Sequence, residues 1–482
     1  MSDVQRCEVN TSADNRSMFE RLPFELLSHI FELAMPEIDG ASDIGPLSSE
    51  ESPLSVSRVS RTLRDVALSS PRLWTRIFFS DVPTPCRVKH LLMLMDLSMA
   101  RSNGQPLDLH VSMFIEDPGS VFGDDPCVSV LKKLMHERYR WRIVTLDVAD
   151  CLLKPFLQTN DSTEPLLLDQ LQAAEDLRLR IFHQFETVGS TIDLSNCLNL
   201  KNLLVDGNQA QIVLSLGRGP LNNLRSLTLR TSNIDLAVCL RTLAGMPSLE
   251  YCCIWTDYMV ESGTLEPMSN QYKETVLPAL TFLKVTLDRS HCLPTVRFLQ
   301  HLTVPSLVHF SFEASASRYF VQDDCLRFGS AFLCLLKRSN PLLKVLALSA
   351  SIPDETVINA LHLLSGLEVF RTTERLSERL LRTLTCPYYP PHPTNSKYAF
   401  ICPHLRDLQF EPPKIEQESL LDMLLLRVHA SVDSRETTGA ALSVTLLYRS
   451  FSDFQRMKRV MELPRYGDSL GESLVVNVRY DV

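Results

Sequence analysis

The side chains best suited to chemistry in this 482-residue chain are its 12 histidines, 13 cysteines and a few acidic pairs. Their spacing argues against most catalytic uses. His136-Glu137 runs on into Arg138-Tyr139-Arg140, so the second histidine of a zinc-binding H-E-x-x-H helix is missing. Cys402-Pro403-His404 offers two metal donors with no second cluster to complete a site. Cys252-Cys253 falls in a strand-like segment, where adjacent side chains point to opposite faces. Gly217-Arg218-Gly219 lacks the rest of a phosphate-cradling loop. Asp124-Asp125 and Asp323-Asp324 read as solvated turns. No catalytic residue, metal ligand set or cofactor is therefore assigned. The chemistry that remains is recognition. Tyr251, Trp255 and Phe282 are rings able to anchor a partner if they share one face.

Composition narrows the partner. A net charge of −9 opposes general nucleic-acid binding, which needs a positive field. No apolar run reaches the ~18 residues of a membrane span, and the polar amino terminus lacks a signal-peptide core. Scattered cysteines within apolar runs fit a reducing compartment, so an intracellular location, cytoplasmic or nuclear, is expected.

Helical periodicity organises the first 80 residues. In RLPFELLSHIFELAMP, Pro23 suits a first helical turn, and Leu26, Ile30 and Leu33 recur at i, i+4, i+7. An acidic Gly/Ser-rich linker follows at 37–51. Ser52-Pro53 opens a second helical pattern carrying Val56, Val59, Leu63 and Val66, and Ser70-Pro71 a third with Leu73 and Trp74. Val59, Leu63 and Val66 are expected in the bundle core. A bundle this small leaves surplus apolar surface for a partner.

Leu22-Pro23, Glu25-Leu26-Leu27, Ile30-Phe31, Val59-Ser60-Arg61, Ala67, Pro71 and Leu73-Trp74 together resemble an F-box. The resemblance covers residues 22–79. It implies a three-helix module docking on the Skp adaptor of a cullin–RING ubiquitin ligase. Leu22, Pro23, Leu26, Ile30, Phe31, Leu73 and Trp74 are then the candidate adaptor contacts. Ser60 and Leu63 depart from the Cys and Trp common in the family. The later R-S-x-G-x-P-L-x-L at 101–109 and Arg140-Trp141 also look like a large group of F-box proteins.

Beyond residue 141, L-x-x-L-x-L recurs about every 29 residues, for instance at Leu200-Leu203-Val205, Leu224-Leu227-Leu229 and Leu280-Leu283-Val285. Helical patterns lie between the copies, as at 235–246, 328–340, 354–366 and 374–384. The units resemble leucine-rich repeats, with the repeat's asparagine filled only at Asn208. The expected fold class is α/β: an F-box-like three-helix bundle, then an irregular leucine-rich-repeat-like α/β solenoid. An irregular α/β domain is the alternative. The expected domains are a disordered 1–20, the bundle at 21–80, a connecting region at 81–140, and a repeat domain with a carboxy-terminal cap at 141–482. Between the Leu positions, side chains should face outward, placing Tyr251, Trp255 and Phe282 together on adjacent strands. They are the candidate contacts for a target protein. The functional expectation is a non-catalytic, target-recruiting ligase subunit. The alternative is a repeat scaffold with no ligase role.

Overall fold

A computed structural model describes residues 22–35, 53–80, 85–113, 126–149, 152, 171–182, 190–194, 196–215, 220–260, 274–287, 292–314, 322–350, 352–385, 401–412, 420–425, 427, 442–448, 451–461 and 474–480. The tail expected to be disordered at 1–20, the linker at 37–51, Asp124-Asp125, Gly217-Arg218-Gly219 and most of the Pro-rich stretch at 386–403 lie outside these residues. The chain forms two compact units, Met1–Leu153 and Lys154–Val482.

The first unit begins with helices α1 (Phe24–Ala34), α2 (Pro53–Ser57) and α3 (Arg61–Ser69), then a 3-10 turn at Pro71–Trp74. One helical pattern from Pro53 onward is in fact two helices. Ser60 breaks it by accepting from Leu63 N at 3.2 Å, an N-cap that starts α3. Val59 falls in the intervening turn and is exposed, not in the expected core. The core forms around Ala67, Leu73 and Trp74, with Phe31, Met35, Leu54, Val56 and Leu68 packed on it. Strands β1 (Arg76–Ser80), β2 (Leu107–Met113) and β3 (Trp141–Ala149) then pair in parallel, separated by α4 (Pro85–Arg101) and α5 (Pro126–His136). The Arg101–Gly104 break turns through two left-handed residues, Asn103 and Gly104. The Arg140 guanidinium closes that turn on Ser102 Oγ at 2.5 Å and Gln105 O at 2.8 Å. Trp141 is buried at the start of β3.

In the second unit the strands pair in chain order, all parallel. They are β4 (Asp176–Phe182), β5 (Ser190–Asp193), β6 (Asn202–Ser215), β7 (Ser226–Asp235), β8 (Tyr251–Val260), β9 (Thr275–Val276), β10 (Phe282–Leu287), β11 (Leu302–Thr303), β12 (His309–Ala314), β13 (Val345–Ser349), β14 (Val369–Arg375), β15 (Asp407–Glu411), β16 (Leu442–Tyr448) and β17 (Leu474–Tyr480). β5 pairs only with the far end of β6, and β9 pairs with β11 apart from the main sheet.

The register aligns the Leu positions across the sheet. Leu203, Leu227, Cys252, Leu283, Phe310, Leu346, Phe370 and Leu408 form one buried row. Residues one step on in each strand face the other way, as a period of two requires. Eight strands, β6 to β8, β10 and β12 to β15, begin with a shared turn. Arg225 O accepts from both Glu250 N and Tyr251 N, and Glu250 O from Thr281 N and Phe282 N, and this pattern repeats to Glu368 O. Asn199 and Asn223 add side-chain bonds back to the preceding turn, at Gln172 O and Leu198 O. These two asparagines tie each turn to the one before it.

Helices fill the connections: α6 (Leu236–Ala244), α7 (Cys292–His301), α8 (Gln322–Ser339), α9 (Asp354–Leu363), α10 (Glu378–Thr385) and α11 (Phe451–Met461). Asp235 caps α6 by accepting from Val238 N at 2.8 Å. The helix expected from 374 starts only at Glu378, because Ser377 Oγ accepts from Leu380 N and ends the strand's extension. Asp323-Asp324, expected in a turn, lie in the first turn of α8, where acidic residues suit the helix dipole. The carboxy-terminal strands β16 and β17 continue the parallel pairing.

Candidate binding surfaces

Helix α1 presents two contrasting faces. Leu27 is buried against the bundle and Phe31 is half-buried in its core. Leu26 is 50% exposed, Leu33 73%, and Ile30 and Phe24 are also exposed. Leu26, Ile30 and Leu33 follow one another at i, i+4, i+7, so they form a single ridge. Pro23 starts the helix, its carbonyl accepting from Leu27 N at 3.1 Å, and stands exposed beside half-buried Leu22. Of the seven candidate adaptor residues, the structure thus groups Leu22, Pro23, Leu26 and Ile30 at an open surface.

Phe31 joins the core, and Leu73 and Trp74 are buried within it. The Trp74 indole N–H donates to Ala67 O at 2.7 Å, which satisfies the last turn of α3 and holds the ring inward. Leu33 belongs to the exposed ridge but is not among the sequence candidates; Phe24 is exposed on the other side of the helix, about two turns before Phe31. The helical stripe contained Leu33. Phe24 was legible only as a residue of the first turn.

The second surface is the outward face of the sheet. Tyr251, Phe282 and His309 occupy one register position on β8, β10 and β12. Tyr251 and Phe282 stack with centroids 4.4 Å apart, and Phe282 and His309 are 4.3 Å apart. Trp255, four residues beyond Tyr251, is 39% exposed, and Tyr251 38%. Phe282 is half-buried within the stack. All three target candidates therefore share one face. Arg230 on β7, opposite Trp255 in register, places its guanidinium 3.5 Å from the indole centroid. It also pairs with Asp206 at 3.6 Å. Lys284 pairs with Glu313 at 2.8 Å.

Titration on this face follows burial first. Burial raises the Asp206 carboxyl above its usual range against the pull of Arg230 and Arg180. Burial, then Arg371 and Lys284, lowers the His309 imidazole, which favours its neutral form. Burial also raises the Cys253 thiol, and with it the Tyr251 phenol.

Cys402 is buried, its thiol pushed up to about 12 by burial, and it donates to Leu364 O at 3.4 Å. Buried Arg427 donates to Cys402 O at 2.5 Å and to Leu384 O, tying the end of α10 to the end of the Pro-rich stretch. Among the described residues, no group of three or more His, Cys, Asp or Glu could hold a metal ion, and no helix is long and apolar enough to cross a membrane.

Residues 19–80 match a family model described as F-box-like. This segment is an F-box-like domain. No curated protein matches the chain. Within the F-box-like domain, Ser60 acts as the α3 cap. Leu63 is half-buried. Ser28 Oγ and Ser70 Oγ join α1 to the α3 terminus at 2.9 Å, so the exposed ridge is held by the bundle.

Proposed function

We propose that this chain is a target-recruiting subunit of a cullin–RING ubiquitin ligase, holding the Skp adaptor through its F-box-like domain and a target protein through the outward face of its sheet. The observation that carries the reading is the exposed apolar ridge of α1 inside a segment matching the F-box-like family. An exposed row of large aliphatic side chains on a short helix loses contact with water when a partner covers it, at about 25 cal/mol per Å² of apolar area. The in-order parallel strands, their shared turns and the aligned Leu rows support a leucine-rich-repeat-like architecture for the second unit.

The mechanism needs no catalytic side chain. Two binding events on one chain raise the target's effective concentration near the ubiquitin-loading machinery. The test is a titration of the Skp adaptor against the full chain and against a Leu22→Ala, Pro23→Ala variant. Weakened binding with an unchanged melting temperature supports the reading. Unchanged affinity, or no binding by the native chain, removes it and leaves the alternative of a scaffold without a ligase role.

A further inference from the structure

The outward face carries a more specific message about its target, and it rests on the recruitment reading above. Tyr251 and Phe282 are stacked face against face at 4.4 Å, and His309 packs on Phe282 at 4.3 Å, tilted by 31°. Stacking consumes the electron-rich ring faces and turns ring edges, the positive ends of the aromatic quadrupole, toward solvent. Trp255 has one face already covered by Arg230. A cationic ligand needs open ring faces. This group offers it few.

The charges around the rings are paired. Arg230 is paired with Asp206 at 3.6 Å, and Lys284 with Glu313 at 2.8 Å, while Thr286 Oγ1 donates to Glu313 at 3.2 Å. Arg180 also acts on Asp206, and Arg371, paired with Asp407 at 2.6 Å, acts on His309, so each of these charges has an opposite charge nearby. A charged ligand meets groups already paired and loses its own hydration on docking. Three neighbouring strands and the four-residue step from Tyr251 to Trp255 span about 10 by 13 Å, room for three or four extended residues.

We infer that the Tyr251–Phe282–His309 stack and Trp255 take a short extended peptide segment of the target that carries no charge where it makes contact and lays an aromatic ring face on the exposed ring edges. Paired charges meet a neutral segment, and edge meets face.

The test is selection of a displayed random-peptide library on the full chain, on Trp255→Ala and on Tyr251→Thr, the second variant guarding against a folding defect in the first. Native chain is expected to enrich sequences with Phe, Tyr or Trp in a window free of Asp, Glu, Lys and Arg. Either variant that keeps the native melting temperature should weaken a selected peptide about tenfold or more. Its affinity should change by no more than about twofold between about 50 and 500 mM NaCl, since screening acts on charge. Enrichment of charged motifs, strong salt dependence, or equal binding to both variants overturns the inference, as does the absence of any enrichment. Adaptor titration on the same protein separates the two readings. Lost adaptor binding with intact peptide selection removes the ligase role alone, and intact adaptor binding with failed selection removes this inference alone.

Discussion

The two candidate surfaces solve recognition in opposite ways. On α1 one row of apolar side chains is left open among the described residues: Leu26 and Leu33 are at least half exposed. On the sheet each ring already has a partner, either another ring or a guanidinium. The difference traces to backbone geometry. A three-turn helix in a small bundle can bury only one stripe, so the opposite stripe is left over. Parallel strands in exact alternation bring like positions within about 5 Å, so side chains on the outward face meet one another before they meet a target. The first surface is built for area and the second for selectivity.

The largest expected effect tests the face assignment beneath that comparison. Leu227→Asp places a carboxylate in the buried row between Leu203 and Cys252 and should cost about 3–5 kcal/mol of stability. Thr228→Asp, one residue on and half-buried on the outward face, should cost far less. Equal losses in chemical denaturation would break the register.

Next comes the helix ridge. Leu26→Asp with Ile30→Asp should weaken adaptor binding by about 2 kcal/mol or more, roughly thirtyfold, with little change in melting temperature. Peptide binding to the sheet face should not change. A coupled loss at both surfaces would mean that they do not act independently.

Removing the guanidinium from the indole should be milder. Arg230→Gln forfeits a cation–π contact of about 0.5–1 kcal/mol and unpairs Asp206, so stability should fall slightly while Trp255 becomes more accessible to a neutral fluorescence quencher. Trp74 and Trp141 are buried, so the change reports Trp255. Unchanged quenching would mean that the guanidinium does not shield the ring.

The smallest effect is that of His309. Burial with Arg371 and Lys284 lowers its pKa in the folded chain, so the unfolded chain takes up the proton first as pH falls. This contribution is full above the ordinary imidazole value and is lost as pH drops through it toward the folded value. His309→Phe should keep the stack and flatten stability in that window. An unaltered pH profile would show that the ring does not titrate as placed.

Much of this was legible in the sequence because it depends on period. The i, i+4, i+7 stripe of α1 located its ridge, and the spacing of Leu227, Leu283 and Leu346 set which side chains face outward. What the sequence obscured depends on contacts between distant residues. Ser60 caps α3 and thereby exposes Val59, although the two helices read as one pattern. Leu73 and Trp74 look like surface candidates until the Trp74 bond to Ala67 turns the ring inward. Arg427 reaches a carbonyl before the Pro-rich stretch and one at its end, bonds with no local signature. The Arg230 contact with Trp255 exists only once β7 and β8 are aligned.

The most direct measurement is hydrogen–deuterium exchange of the full chain with and without the Skp adaptor. The account predicts added protection across 22–35, centred on α1, with exchange across 251–287 unchanged. Binding without protection of α1, or no binding at all, would contradict it.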